Sequence, residues 1–210
     1  MSDAAIILAI LGTLLIGVIS PGPSFVLVSR IALSETRLNG LAAALGMGIG
    51  GAVYGGLALA GLTALLQQVS WLYFALRLAG GLYLLSMAVM IWRHAAAPLA
   101  EPASGAGKVG SMSRAFRIGL VTQLSNPKTA VVYASIFAAF LPTAPSMSLF
   151  VILPPLVFLI ETTWYAVVAV LFSSSHPRAL YRAAKTWIDR VAGTVIGGLG
   201  VVLIVESAKS

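Results

Sequence analysis

Two short strings combine residues that break a helix with residues that bind ions: Pro21-Gly22-Pro23-Ser24 and Ser125-Asn126-Pro127-Lys128. A proline inside a helix removes one backbone donor and clashes with the carbonyl a turn earlier. The first string does this twice in quick succession, with Gly22 supplying the freedom to unwind. Carbonyls and amides released in this way need new partners from protein, water or a ligand. A zwitterionic amino acid suits such a place, because the positive end of a half-helix can take its carboxylate and freed carbonyls its ammonium. Ser20, Ser24, Ser125 and Asn126 add short polar side chains beside the two breaks.

Two ionisable residues fall within long apolar runs: Glu161, well inside residues 148–172, and Lys128, directly after the second break. A charge at the centre of a bilayer costs roughly 2.5–3.5 kcal/mol on insertion scales, so such residues face a cavity or a partner. Lys128 can also carry its ammonium along its alkyl stem toward the membrane surface. Glu161 has less room to escape. It reads as a proton-coupling or ammonium-binding carboxylate, with a purely structural hydrogen-bonding role as the alternative. Asp3, Glu35, Glu101, Asp189 and Glu206 fall in termini, loops or near the ends of runs, which leaves Glu161 as the one carboxylate expected deep in the membrane. Arg77, near the end of its run, reads as an interfacial anchor.

Enzymatic chemistry finds no complete set of parts. Residues 102–109 imitate a phosphate-binding loop, but Pro102 and Val109 occupy the positions that require Gly and Ser or Thr. His94 and His176 fall outside the apolar runs, with no HExxH motif and no second carboxylate near Glu161, so a metalloprotease, a paired-carboxylate protease and a Ser-His hydrolase are all incomplete. The reading is of a protein that is not an enzyme and needs neither metal nor cofactor. With no cysteine among its 210 residues, the chain has no thiol redox chemistry.

The elements that must hold these residues are transmembrane helices. The chain is 59% hydrophobic and 9% charged, with a mean hydropathy of +0.99. Soluble domains run near ~25% charged, so this chain lacks the polar surface to stay in water. Runs long enough to span a bilayer cover residues 4–20 (continuing over 25–29), 40–66, 71–92, 118–141 and 148–172, with a shorter, glycine-rich run at 191–205. Residues 177–188 read as a separate interfacial helix. The first run lacks a basic flank and ends in Pro-Gly-Pro rather than a cleavage site, so it reads as a retained helix. Glycines at 46, 50, 51, 55 and 56, and at 193, 197 and 200, have the spacing that lets helices approach closely.

Charge placement orients the bundle. Ten of the thirteen Lys and Arg lie in the linkers after the first, third and fifth runs, whereas the turns after the second and fourth hold none. By the positive-inside rule the basic linkers are cytoplasmic. Bases scattered singly between apolar runs also argue against nucleic-acid binding. A repeat underlies the layout: Gly17-Val18-Ile19-Ser20 precedes the first break and Gly119-Leu120-Val121-Thr122 the second, each in the first helix of a set of three. Halves of three helices must have opposite topology, and paired Pro/Gly-broken helices in inverted halves point to a secondary transporter. The expected fold is all-α, a single polytopic domain over residues 1–210. It has about six transmembrane helices as two inverted repeats, about 1–92 and 118–210, joined by a cytoplasmic linker at about 93–117.

The chain resembles the LysE/RhtB amino-acid exporter family along essentially its whole length. The match is carried by Pro21-Gly22-Pro23, the stretch from Asn39-Gly40-Leu41 to Gly46, Gly80-Gly81-Leu82-Tyr83-Leu84, Phe116-Arg117-Ile118-Gly119, Asn126-Pro127-Lys128, and Glu161 with Trp164. Ser24 stands where family members often have Asp or Asn, and Glu161 where Asp is more usual. The resemblance implies efflux of amino acids or close derivatives, driven by the proton gradient, through a homodimer in the bacterial inner (plasma) membrane. The alternative from another class is a non-transporting membrane scaffold or accessory subunit. The residues expected to bind substrate or couple transport are Pro21, Gly22, Pro23, Ser24, Asn126, Pro127, Lys128 and Glu161.

Overall fold

Apolar runs and their interruptions set the order of elements. The structure, a computed structural model, describes residues 2–19, 22–68, 70–97, 109–142, 144–173 and 175–208. Among these residues the chain forms eight helices and no strand: α1 (Asp3–Ile19), α2 (Pro23–Ser34), α3 (Arg37–Gln68), α4 (Ser70–His94), α5 (Met112–Leu124), α6 (Pro127–Phe140), α7 (Met147–Phe172) and α8 (Ser175–Ser207). The protein is an all-helical, polytopic membrane protein. Arg37–Ala64, Met147–Phe172 and Leu180–Val205 are each long and apolar enough to cross a bilayer. α1 and α2 together qualify as a fourth, broken or re-entrant stretch. α4 and the α5/α6 pair occupy the positions of the third and fourth expected runs.

Both proline breaks end one helix and start another in the same way. Gly22 and Asn126 sit at the N-caps of α2 and α6 in extended conformation, each followed by proline as the first helical residue. Proline is favoured there because its missing N–H would be unpaired anyway. By contrast, Pro154 and Pro155 lie inside α7 without ending it.

One expectation is corrected at the C-terminal end. Residues 177–188 are not a separate interfacial helix but part of α8, which runs on without interruption through the apolar stretch. Lys185, the charge that this segment buries, is paired. Lys185 bonds Asp189 one turn on at 2.8 Å, and its ammonium also donates to the carbonyls of His94 and Ala95 at the end of α4.

Contacts at the helix ends define two faces of the bundle. At one, Glu35 accepts from the Val109 amide at 2.6 Å, and Lys185 meets the end of α4. Arg30, Arg37, Arg93, Arg114, Arg117, Arg182 and Arg190 lie toward this basic end, where Arg190 rests over the rings of Trp92 and Trp187. At the opposite end Asp3 accepts from Ser146 and Ser148, tying the start of α1 to the start of α7. Arg77 donates there to the Ala138 carbonyl at 3.1 Å.

Between the ends, helices meet through glycine. In lipid no hydrophobic force drives helices together, so close backbone contact and interhelical hydrogen bonds do that work. α3 packs on α5 where a side chain on Gly46 would strike the Phe116 carbonyl, and one on Gly119 the Ala43 carbonyl. α4 and α8 cross where a Cβ on Gly81 would stand 2.8 Å from the Gly200 carbonyl, and one on Gly200 equally close to that of Gly81. Gly56, although part of the same sequence pattern, has open space around it.

That difference gives a test. Gly119→Leu should lower the thermal unfolding midpoint in detergent, because overpacking a tight contact costs about 1–3 kcal/mol or more. Gly56→Ala should leave the midpoint unchanged or raise it slightly, by up to about 1 kcal/mol of helix propensity. Equal sensitivity at both positions would mean that the α3–α5 crossing is not held by backbone contact.

Candidate functional site

The two helix breaks meet at a cavity in the middle of the bundle. Its wall includes Gly22 and Ser24 from α2 and its cap, Asn126, Lys128 and Thr129 from the second break, Gln123 from α5, Tyr133 from α6, and Glu161 and Tyr165 from α7. Leu14, Gly17, Val18, Phe25 and Val132 supply its apolar side. Both half-helices that begin at the breaks therefore start at the cavity, with the positive ends of their dipoles and their unpaired amides toward it.

A chain of hydrogen bonds links the breaks to the membrane carboxylate. The Asn126 amide donates to the Ser24 hydroxyl at 3.1 Å, and that hydroxyl donates to the Gln123 side-chain carbonyl at 2.7 Å. The Gln123 amide then donates to Glu161 Oε2 at 3.0 Å, and the Tyr133 hydroxyl donates to Glu161 Oε1 at 2.8 Å. Every donor points along the chain toward the carboxylate. An ionised carboxylate accepts only, so it fixes the orientation of the glutamine amide and of each hydroxyl behind it. The chain runs from the α6 cap through α2 and α5 to α7, and ties four elements together at one buried acid.

Backbone groups freed by the second break are satisfied by the same neighbourhood. The Asn126 side-chain oxygen accepts from the Lys128 amide at 3.0 Å, capping α6. The Leu124 carbonyl, near the end of α5, accepts from the Tyr54 hydroxyl of α3 at 2.6 Å. α3 also sets the depth of the acid. A Cβ on Gly51 would stand 2.7 Å from Glu161 Cγ, and one on Gly50 would stand 2.7 Å from Gln123 Cβ. Glycine at these positions lets α5 and α7 bring Gln123 and Glu161 within hydrogen-bonding distance of each other.

The sequence-derived site residues are largely brought together. Gly22, Ser24, Asn126, Lys128 and Glu161 line one cavity, with Pro23 and Pro127 opening the half-helices beside it. Ser20 and Pro21 lie outside the described residues. The Lys128 ammonium crosses from the second break to the first, where a Cβ on Gly22 would be 3.3 Å from Nζ. It is also drawn electrostatically by the charges of Glu161 and Asp189. Asp189, placed from the sequence near the end of a span, is 3% exposed within α8 and is a second buried carboxylate.

Sequence reasoning missed Gln123 and Tyr133, the two direct donors to Glu161. The signal for Gln123 was present, since it is an uncharged polar residue inside an apolar run three positions before Asn126. Tyr133 carried less signal, because an aromatic residue in a membrane run is equally at home in the core. It also packs like one, stacking on Phe137 with ring centroids 6.2 Å apart. Among the described residues no group of three His, Cys, Asp or Glu side chains gathers as a metal site requires.

Residues 15–207 match the LysE type translocator family. The chain is 32% identical to the threonine efflux protein of Escherichia coli (strain K12) over 198 residues, covering 91% of this chain and 94% of that protein. Against the threonine efflux protein of Salmonella typhi it is 33% identical over 197 residues, again 91% and 94% of the two chains. It is also similar to the leucine efflux protein of Enterobacter sp. (strain 638), 34% identical over 59% of this chain and 58% of that one. No solved structure matches.

The hydrogen-bond chain is itself testable. Tyr133→Phe removes one of two donors to a buried carboxylate and should lower stability in detergent by about 1–3 kcal/mol. Ser24→Ala and Gln123→Ala should be non-additive by at least about 0.5 kcal/mol, as expected of bonded neighbours. Additive losses in a thermal-unfolding cycle would show that the two side chains do not act through each other.

Proposed function

The chain belongs to the LysE type translocator family, and on that footing we propose that it is a secondary transporter exporting amino acids from the cytoplasm in exchange for protons. The observation that carries this reading is Glu161, the one carboxylate lining the cavity, hydrogen-bonded through Gln123 and Ser24 to both helix breaks beside the ammonium of Lys128. One acid and one base beside two half-helix N-termini complement a zwitterion. A substrate ammonium would go to Glu161, and its carboxylate to the α2 and α6 termini with Lys128. The remaining wall, of Leu14, Val18 and Val132, favours a small uncharged side chain, since a basic one would leave its charge facing apolar groups. Relatives named for threonine and leucine efflux accord with this class.

Transport requires movement. The cavity holds about 30 Å³, enough for a water molecule but not for an amino acid. The breaks are the natural hinges, because the helices on either side of them share no continuous backbone ladder. The halves are proposed to be inverted repeats of about residues 1–92 and 118–210. The pairing of α3 with α7 and of α4 with α8, each helix against its counterpart, supports this. The family resemblance further implies a homodimer in the bacterial inner membrane.

On this reading the hydrogen-bond directions favour one oxygen of Glu161 as the place for the proton. A proton on Glu161 Oε2 would confront the Gln123 amide, which has no lone pair to offer. A proton on Oε1 needs only that the Tyr133 hydroxyl rotate from donor to acceptor. Glu161 is thus set to exchange a substrate ammonium for a proton on one oxygen, with Tyr133 following the change. Glu161→Gln should abolish gradient-driven efflux of threonine or leucine from preloaded vesicles while the protein still inserts and folds. Gradient-dependent efflux at the wild-type rate by that variant would remove Glu161 from the mechanism. If the wild-type protein leaves every amino acid tested unmoved, with or without a proton gradient, the export reading fails.

A non-transporting scaffold would tolerate Asn126→Ala and Lys128→Ala, whereas an exporter that folds normally with these changes should lose efflux. Orientation can be tested on the same material, since the chain has no native cysteine. A cysteine at Ser146 should react with an impermeant thiol reagent added outside intact cells, and one at Ser111 should not. The reverse pattern would invert the proposed topology.

A further inference from the structure

Toward the basic end, three aromatic rings separate the central cavity from the start of α8. Phe25, whose side chain lines the cavity, stacks on Tyr181 with centroids 5.1 Å apart and meets Phe172 edge-on at 5.4 Å. Phe172 and Tyr181 close the triangle at 5.5 Å. The rings come from α2, α7 and α8. Phe25 lies just past Pro23, so its ring travels with the half-helix that begins at the first break.

On the α8 side of this plug, Tyr181, Lys185 and Asp189 follow at i, i+4 and i+8 and share one helix face. The Lys185 ammonium uses its three donors on His94 O at 3.1 Å, Ala95 O at 3.2 Å and Asp189 Oδ2 at 2.8 Å. The other carboxylate oxygen, Asp189 Oδ1, is buried without a hydrogen-bond partner among the described residues, and so is the Tyr181 hydroxyl. A buried anionic oxygen without a donor is costly, and in a native protein it calls for a ligand or a functional role. The charge of Asp189 acts on Tyr181 and on Lys128, which stands at the cavity wall and is also drawn by Glu161. Asp189 and Glu161 are thus two buried carboxylates, Glu161 at the cavity and Asp189 toward the basic end.

We propose that Asp189 is an entry site for the ammonium group of the transported substrate, occupied from the basic face before the Phe25–Phe172–Tyr181 plug parts and the amine moves on to Glu161. This rests on the reading of the protein as an amino-acid exporter. The ligand class is a primary ammonium, which Oδ1 can accept while Oδ2 keeps its bond to Lys185. The substrate carboxylate plays no part at this stage, because Lys185 is already saturated by α4 and Asp189. In the conformation described the oxygen is sealed, so the site opens only when the start of α8 moves relative to α2 and α7.

The test uses the wild-type protein in vesicles and a hydrophobic carbodiimide, which modifies protonated carboxyl groups, with peptides bearing Asp189 and Glu161 quantified separately by mass spectrometry. The probes are L-threonine and L-threonine methyl ester, the latter keeping the ammonium but lacking the carboxylate. Both should slow modification of Asp189, by about tenfold at a concentration roughly ten times half-saturation. Protection of Asp189 should persist in the Glu161→Gln protein. Protection of Glu161 with Asp189 reacting unhindered overturns the entry site and leaves the proposed export function standing. Protection of Asp189 with Glu161 unprotected upholds the entry site and removes the ammonium role assigned to Glu161. Where Asp189 does not react, binding of L-threonine methyl ester to the purified Glu161→Gln protein decides instead: at least about a tenfold loss of affinity on adding Asp189→Asn upholds the entry site, and unchanged affinity overturns it. Protection at neither residue overturns both readings.

Discussion

A carboxylate held away from water must be given donors by the protein, and the arrangement around Glu161 follows from that requirement. Its two oxygens take one bond each from Gln123 and Tyr133, and Gln123 is itself held by Ser24 and, through it, by Asn126. Because the acid can only accept, it polarises the chain in one direction and draws α2, α5, α6 and α7 to a common point. Losing any link leaves a buried polar group unpaired, which costs more than the bond itself contributed. The same chain makes the two helix breaks a single site.

Close packing through glycine is the second condition. Gly50 and Gly51 of α3 lie against Gln123 and Glu161 with no room for a methyl group, so the hydrogen-bonding distance between those two residues is set by backbone approach. Interior polar bonds and close small-residue contacts are the two forces available to helices in lipid. Here they act at the same level of α3. The helix breaks lie elsewhere, at Gly22 and Asn126, where the helices end and restart.

The ends of the bundle are fastened by charge. Asp3 with Ser146 and Ser148 closes one face, while Glu35 with Val109 and Lys185 with Asp189, His94 and Ala95 close the other. Each is a small cluster of hydrogen bonds between segments that belong to different parts of the chain.

Much of this was legible in the sequence. Composition dictated a membrane protein, since 9% charged residues cannot cover a soluble surface. Proline chemistry dictated the two breaks and the membrane cost of charge singled out Glu161 and Lys128, because these are local rules that need no partner to operate. What the tertiary structure decided was pairing. That Gln123 and Tyr133 are the donors to Glu161 depends on the crossings of α5, α6 and α7, and residues 28 and 38 positions from the acid carry no mark of that contact. Asp189 and Lys185, read from the sequence as charges in a basic linker at the end of a span, form a buried pair inside α8, because the partners that make burial tolerable are the carbonyls of His94 and Ala95, some ninety positions earlier in the chain. Local chemistry shows where a helix must break or a charge must find a partner, and only the packed structure shows which partner it finds.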